Sequence, residues 1–138
     1  MRILITGGFG YIGSTLAVHL SKLGHEIILG TRKEAIPPDW LPKSKVITMN
    51  WLNCEGLSDY FREVDLIIHT AGMNYKDCIK DPMGAMEFNG YNTGRLAFAA
   101  LRADVKKFIF LSTVNVYSSS LIGNFSENSI PINENPYA

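Results

Sequence analysis

The sequence predicts an α/β fold, a doubly wound parallel sheet, and three observations carry that prediction. Short apolar runs alternate with helical patterns from end to end of the 138 residues. Those runs are apolar at successive positions, as strands covered on both faces are. A glycine-rich turn, "TGGFGYIG" at 6–13, joins the first run to the first helical pattern.

Taken in order, "RILIT" (2–6) reads as the first strand. The stretch 11–24 follows with helical spacing at Ile12, Leu16, Val18 or His19, Leu20 and Leu23, and Gly24 stops it. "EIILG" (26–30) is the second strand, followed by a polar, proline-bearing surface connection, "TRKEAIPPDWLPKS". "KVITMN" (45–50) is the third strand, 55–63 a short helix, and "VDLIIHT" (64–70) the fourth strand. The longest helical pattern spans 82–103, with Asp81 as N-cap and Pro82 at the first helical position. "KKFIFLST" (106–113) is the fifth strand, and the Ser-, Asn- and Pro-rich remainder reads as loop.

The length fits one domain. Hydrophobic content of 46%, charged content of 19% and a formal net charge of zero describe an ordinary globular chain. With no net field and no basic cluster, neither nucleic acid nor an anionic membrane is an expected partner. No run approaches the roughly 20 apolar residues of a membrane span, and glycines interrupt the apolar start where a signal peptide would be continuous. Cys54 and Cys78 stand apart with no metal-ligand spacing, so they read as reduced thiols in a cytoplasmic protein, and no metal is expected.

In a doubly wound sheet the ligand crevice lies at the carboxyl ends of the strands. Residues 6–13, 31–33, 50–53, 69–74 and 112–117 are therefore expected along one edge. Gly7 permits the tight turn, and Gly10 allows close backbone approach to a pyrophosphate. Gly13 lets the helix pack closely, and with Phe9, Tyr11 and Ile12 the segment offers the free N–H groups of a helix start to an anion. This spacing predicts a dinucleotide site.

Gly-x-x-Gly-x-x-Gly after a Thr resembles the extended short-chain dehydrogenase/reductases, the NAD-dependent epimerase/dehydratase family. The resemblance runs the whole length. "DLIIHTAG" (65–72) resembles the family segment in which the fourth strand meets the cofactor, implying contacts from Thr70, Ala71 and Gly72. Asp81–Pro82 followed by Asn89, Thr93, Ala99 and Ala100 resembles its Asn-x-x-Gly-Thr helix. "VKKFIFLSTVNVYS" resembles the strand ending in Ser-Ser-x-x-Val-Tyr, and "PYA" (136–138) the start of Pro-Tyr-x-x-Ser-Lys. What this implies is a Rossmann-type NAD(P)-binding domain over 1–138. It would be the amino-terminal portion of a longer enzyme acting on a nucleotide sugar, and a homodimer when full length.

At the end of the second strand an acidic residue usually holds the adenosine ribose hydroxyls. Here Thr31, Arg32 and Lys33 stand there, and two cations without a carboxylate suit a 2′-phosphate. NADP is thus favoured over NAD, although the pair also reads as a solvated loop. At the third-strand end either Asn50 or Trp51 meets the adenine, with Leu52 as apolar neighbour; Trp51 reads equally well as packing.

By resemblance, Tyr137 is the acid/base that moves a proton at a sugar hydroxyl, and Thr113 hydrogen-bonds the reacting oxygen. Asn89 orders the site or touches the substrate. A free phenol with a pKa of about 10 is a weak base at neutral pH, and the family lowers it with a lysine four residues on. That position falls beyond Ala138, so the chain as given is expected to bind cofactor without turnover. Two alternatives stay open: a reductase of a non-sugar alcohol or carbonyl, and a non-catalytic NAD(P)-binding sensor.

Overall fold

A computed structural model of the chain describes residues 1–51, 53–117 and 122–138. They divide into two units. The first comprises Met1–Ala71 and Asn92–Leu111, the second Gly72–Tyr91 and Ser112–Ala138.

The first unit is built on a parallel sheet of β1 (Arg2–Thr6), β2 (Glu26–Thr31), β3 (Lys45–Thr48), β4 (Leu66–His69) and β5 (Lys107–Phe110). Its spatial order is β3-β2-β1-β4-β5. Chain order therefore reverses beside β1, and that reversal is the switch point of a doubly wound sheet. Register places Thr6 beside Gly30 on one side and beside His69 on the other. The inner strands are buried on both faces, as their continuous apolar runs require. The edge strands β3 and β5 are partly open.

Helix α1 (Tyr11–Lys22) packs on β1 and β2. Its Ala17, with Leu16 and Leu20, meets a core of Ile3, Ile5, Ile27, Leu29, Leu66 and Ile68. Leu16 and Leu20 of the expected stripe lie on the core, whereas Ile12 and Leu23 are exposed. The buried residues of the helix are Ala17, against the sheet core, and Gly13, against the turn at Gly7 and Gly8. The helix ends in a Schellman cap: the His25 N–H donates to Leu20 O (3.2 Å) and the Gly24 N–H to Ser21 O (2.9 Å).

The opposite sheet face carries Leu4, Ile67 and His69, and α5 (Asn92–Arg102) covers it, reaching His69 through Thr93. Helix α2 (Cys54–Phe61) packs on α5 and buries Leu57 and Phe61. Asn53, not a residue within the expected 55–63 span, caps α2 by accepting from the Gly56 N–H at 2.9 Å.

The second unit contains α3 (Tyr75–Lys80), α4 (Pro82–Ala85), a π-helical stretch (Met86–Tyr91) and a 3₁₀ turn (Val114–Val116). Asp81 caps α4 as expected, accepting from the Gly84 N–H at 2.9 Å, with Pro82 at the first position. The helical pattern predicted over 82–103 is thus interrupted by a π stretch, and α3 carries no apolar periodicity that would announce it. β5 stops three residues before Thr113 because its partner β4 ends at His69. The last ladder contact is Leu111 N–H to His69 O, 3.0 Å.

Candidate functional site

The carboxyl ends of β1 to β4 share one edge of the first unit, so 6–13, 31–33, 50–51 and 69–71 gather there as expected. Gly7 turns the chain out of β1 with φ +67°, a left-handed conformation that disfavours any side chain. A Cβ at Gly7 would also lie 2.9 Å from the Ala71 backbone, so the loop after β4 presses against the glycine turn. At Gly13 a Cβ would lie 2.4 Å from Gly7 O, which locks the helix start against the turn. Gly10, the N-cap of α1, provides no side-chain acceptor, and its own N–H donates to Gly7 O at 2.8 Å. The first-turn N–H groups of α1 have no intrahelical partner. Phe9, Tyr11 and Ile12 are exposed around them. A pyrophosphate fits this donor set: backbone N–H groups, the positive end of a 12-residue helix, and no competing carboxylate in its first turn.

Beneath the loop lies a buried polar cluster of Thr6, His69 and Thr93. His69 is buried, 1% exposed, at the end of β4. Its Nδ1 lies 2.6 Å from Thr6 Oγ1 and its Nε2 2.9 Å from Thr93 Oγ1. Thr6 Oγ1 also accepts from the Ala71 N–H at 3.4 Å. A neutral imidazole satisfies both hydroxyls with one donor and one acceptor nitrogen. Its ring is surrounded by Trp51, Phe108 and Phe110 at centroid distances of 5.9, 6.1 and 5.6 Å. Burial there pushes the His69 pKa down to about 4. The one sequence signal was a histidine in an otherwise apolar strand.

The other first-unit residues fall as follows. Thr31 ends β2, and its Oγ1 accepts from the Lys33 N–H at 3.3 Å, while Arg32 and Lys33 are exposed. Asn50 is exposed and Trp51 buried, 8% exposed, with its carbonyl accepting from Arg95 Nη1 at 3.4 Å. Of the two roles open to Trp51, packing is the one the geometry displays. Leu52 lies outside the described residues. The Thr70 hydroxyl donates to Thr6 O at 2.7 Å, tying it back to β1.

Within the second unit, Asn89 sits in the π stretch and holds the loop at Gly72–Asn74. Its Oδ1 accepts from the Met73 N–H (2.7 Å), and its Nδ2 donates to Met73 O (3.2 Å) and to Cys78 Sγ (3.4 Å). Its amide is therefore engaged with the protein's own backbone, and the role the geometry gives it is loop positioning. A Cβ at Gly72 would approach Asn89 Oδ1 to 3.4 Å. Thr113 is not a strand residue, as the 106–113 strand implied, but the N-cap of the 3₁₀ turn, accepting from the Asn115 N–H at 3.2 Å. Its hydroxyl proton stays available to donate. Tyr117 stacks on Phe125. The Tyr137 N–H donates to Asn135 Oδ1 at 2.9 Å, and its ring meets Tyr75 edge-on at 6.1 Å.

A 3-2-1-4-5 parallel sheet with a glycine turn at its switch point defines a Rossmann-type α/β domain. The profile of the NAD dependent epimerase/dehydratase family matches residues 3–138, and the chain belongs to that family. It is 32% identical over 145 residues to dTDP-D-glucose 4,6-dehydratase of Dictyostelium discoideum, covering 96% of this chain and 33% of that protein. It is 32% identical over 127 residues to UDP-glucose 4-epimerase of Neisseria meningitidis serogroup C, covering 84% of this chain and 38% of that one. The chain thus spans between a third and two fifths of these two relatives. Among solved structures, the UDP-glucose 4-epimerase of Thermus thermophilus in complex with NAD superposes with a TM-score of 0.84 at 26% identity, over 99% of this chain and 46% of that one.

Proposed function

We propose that the chain is the NAD(P)-binding part of an enzyme that epimerises or dehydrates a nucleotide sugar by hydride transfer. The observation that carries this reading is the glycine turn at the switch point. There Gly7 and Gly13 admit no side chain and the start of α1 offers its N–H groups to a pyrophosphate. The relatives named above act on UDP-glucose and dTDP-D-glucose, which supports the substrate class.

When bound, the nicotinamide supplies the hydride acceptor. The chain's own residues would hold the pyrophosphate at the start of α1 and the adenosine ribose near Thr31. Arg32 and Lys33 favour a ribose bearing a 2′-phosphate. Tyr137 would exchange a proton with a sugar hydroxyl, and Thr113, with its Oγ1 already accepting from Asn115, would donate its hydroxyl proton to the reacting oxygen. The Arg32–Lys33 pair also favours a second reading, a reductase of a non-sugar carbonyl.

Calorimetric titration with NADH and with NADPH tests the cofactor. Tighter NADPH binding is expected, and tighter NADH binding would refute the assignment of Arg32 and Lys33. Incubation of the whole enzyme to which this part would belong with UDP-glucose and dTDP-D-glucose, scored for epimerised or dehydrated sugar, tests the reaction. Activity on either that survives Tyr137→Phe would refute the proton-transfer role.

A further inference from the structure

The connection from β2 to β3 carries an exposed tryptophan. Trp40 packs edge-on against Phe9, with ring centroids 6.2 Å apart and planes at 75°. Phe9 is at the tip of the glycine turn, so a segment following β2 reaches back to the loop following β1. Both rings stay half open, Phe9 at 41% and Trp40 at 43% exposed.

The contact is anchored from behind. Leu41, next to Trp40, belongs to the core beneath α1. Its N–H donates to Pro38 O at 2.8 Å, and its own carbonyl accepts from the Ser44 N–H (3.1 Å) and Ser44 Oγ (2.8 Å). Pro37 and Pro38 restrict the approach to these two turns. An exposed indole is thus held in place by a buried neighbour, at the end of a segment that begins with Thr31, Arg32 and Lys33.

A dinucleotide whose pyrophosphate rests on the start of α1 directs its adenosine ribose towards the end of β2. Phe9 borders the first of these places, and Trp40 belongs to the segment that leaves the second. We propose that Trp40 is a cofactor-positioning residue whose indole, braced by Phe9, walls the adenosine half of the dinucleotide site. The inference rests on the dinucleotide reading and deepens it. Covering two half-exposed aromatic rings with the ribose and base removes apolar surface from water, and aromatic contacts of this kind carry a further, geometry-dependent gain.

The test is calorimetric titration of wild type, Trp40→Ala and Trp40→Phe with NAD, ADP and nicotinamide mononucleotide. Trp40→Ala should weaken NAD and ADP roughly threefold to tenfold. It should leave the mononucleotide unchanged, and Trp40→Phe should restore most of the loss. Equal NAD affinity in wild type and Trp40→Ala would overturn the inference, as would a Phe variant as weak as the Ala variant. Acrylamide quenching of wild-type tryptophan fluorescence needs no variant. Because Trp51 is buried, ADP should protect mainly Trp40, and unchanged quenching at saturating ADP would also overturn the proposal. Wild type that binds neither NAD, NADP nor ADP would refute the dinucleotide reading itself, whereas the other adverse outcomes refute Trp40 alone.

Discussion

Acidification should unload stability through His69. Its folded pKa is lowered from 6.5 to about 4 by desolvation, and its hydrogen-bond partners are the neutral Thr6 and Thr93. Well above pH 6.5 the ring is neutral in both folded and unfolded chains, so it adds no pH dependence there. Below that value the unfolded chain takes up a proton that the folded chain refuses, and stability falls until the folded ring titrates near pH 4. A gap of about 2.5 units, at 1.36 kcal/mol each, makes the loss about 3 kcal/mol. That is a large fraction of a stability typically of roughly 5–15 kcal/mol. Urea unfolding of wild type and His69→Gln between pH 7.5 and 4 isolates the effect, because carboxylates titrate alike in both. The variant starts lower at neutral pH, having lost the fitted imidazole. The wild-type advantage should then shrink by about 3 kcal/mol on reaching pH 4. Parallel curves would refute the reasoning, and so would an imidazole NMR titration of His69 centred near 6.5.

Three further outcomes follow from particular contacts. Gly13→Ala places a Cβ 2.4 Å from Gly7 O. It should lower stability by about 1–3 kcal/mol and abolish NAD binding, and unchanged thermal melting would refute the close approach. Asn89→Ala strips both partners from the Met73 backbone and should cost about 1–3 kcal/mol, with faster hydrogen exchange at the Met73 amide as the check. Asp104 closes α5 at φ 55°, with the Val105 N–H bonded to Ala100 O at 3.0 Å. Asp104→Gly should relieve that left-handed conformation and stabilise by about 1 kcal/mol in urea, whereas a loss would contradict the cap.

The period of the apolar residues marked β1, β2 and β4 because those strands are buried on both faces, and the glycine spacing marked the turn because only glycine fits there. Asp81 and Pro82 announced α4 by rules that operate within one turn of helix. Three features escaped. α3 is six residues long with only Cys78 buried, too little to leave a stripe. The π stretch keeps the composition of an α-helix. β5 ends early because its partner β4 leaves the sheet at His69, a fact about another strand.

The site divides on the same line. Gly7, Gly10 and Gly13 were legible because the left-handed turn at Gly7 and the approach of Gly10 and Gly13 to its carbonyl arise within a few residues, whereas the press of Ala71 on Gly7 was not. That Asn89 spends its amide on Met73, that Thr113 caps a turn and that Trp51 packs beside His69 were not, because a side chain's partners depend on what the fold brings to it. The local code of this chain, its apolar period, turn glycines and helix caps, by itself determined a parallel α/β sheet with a glycine turn at the start of α1. The Thr6–His69–Thr93 tie joins residues 63 and 24 positions apart, and the Trp40–Phe9 contact likewise bridges two loops. Only the tertiary structure decided these, because hydrogen bonding and ring packing act across space and leave no period along the chain.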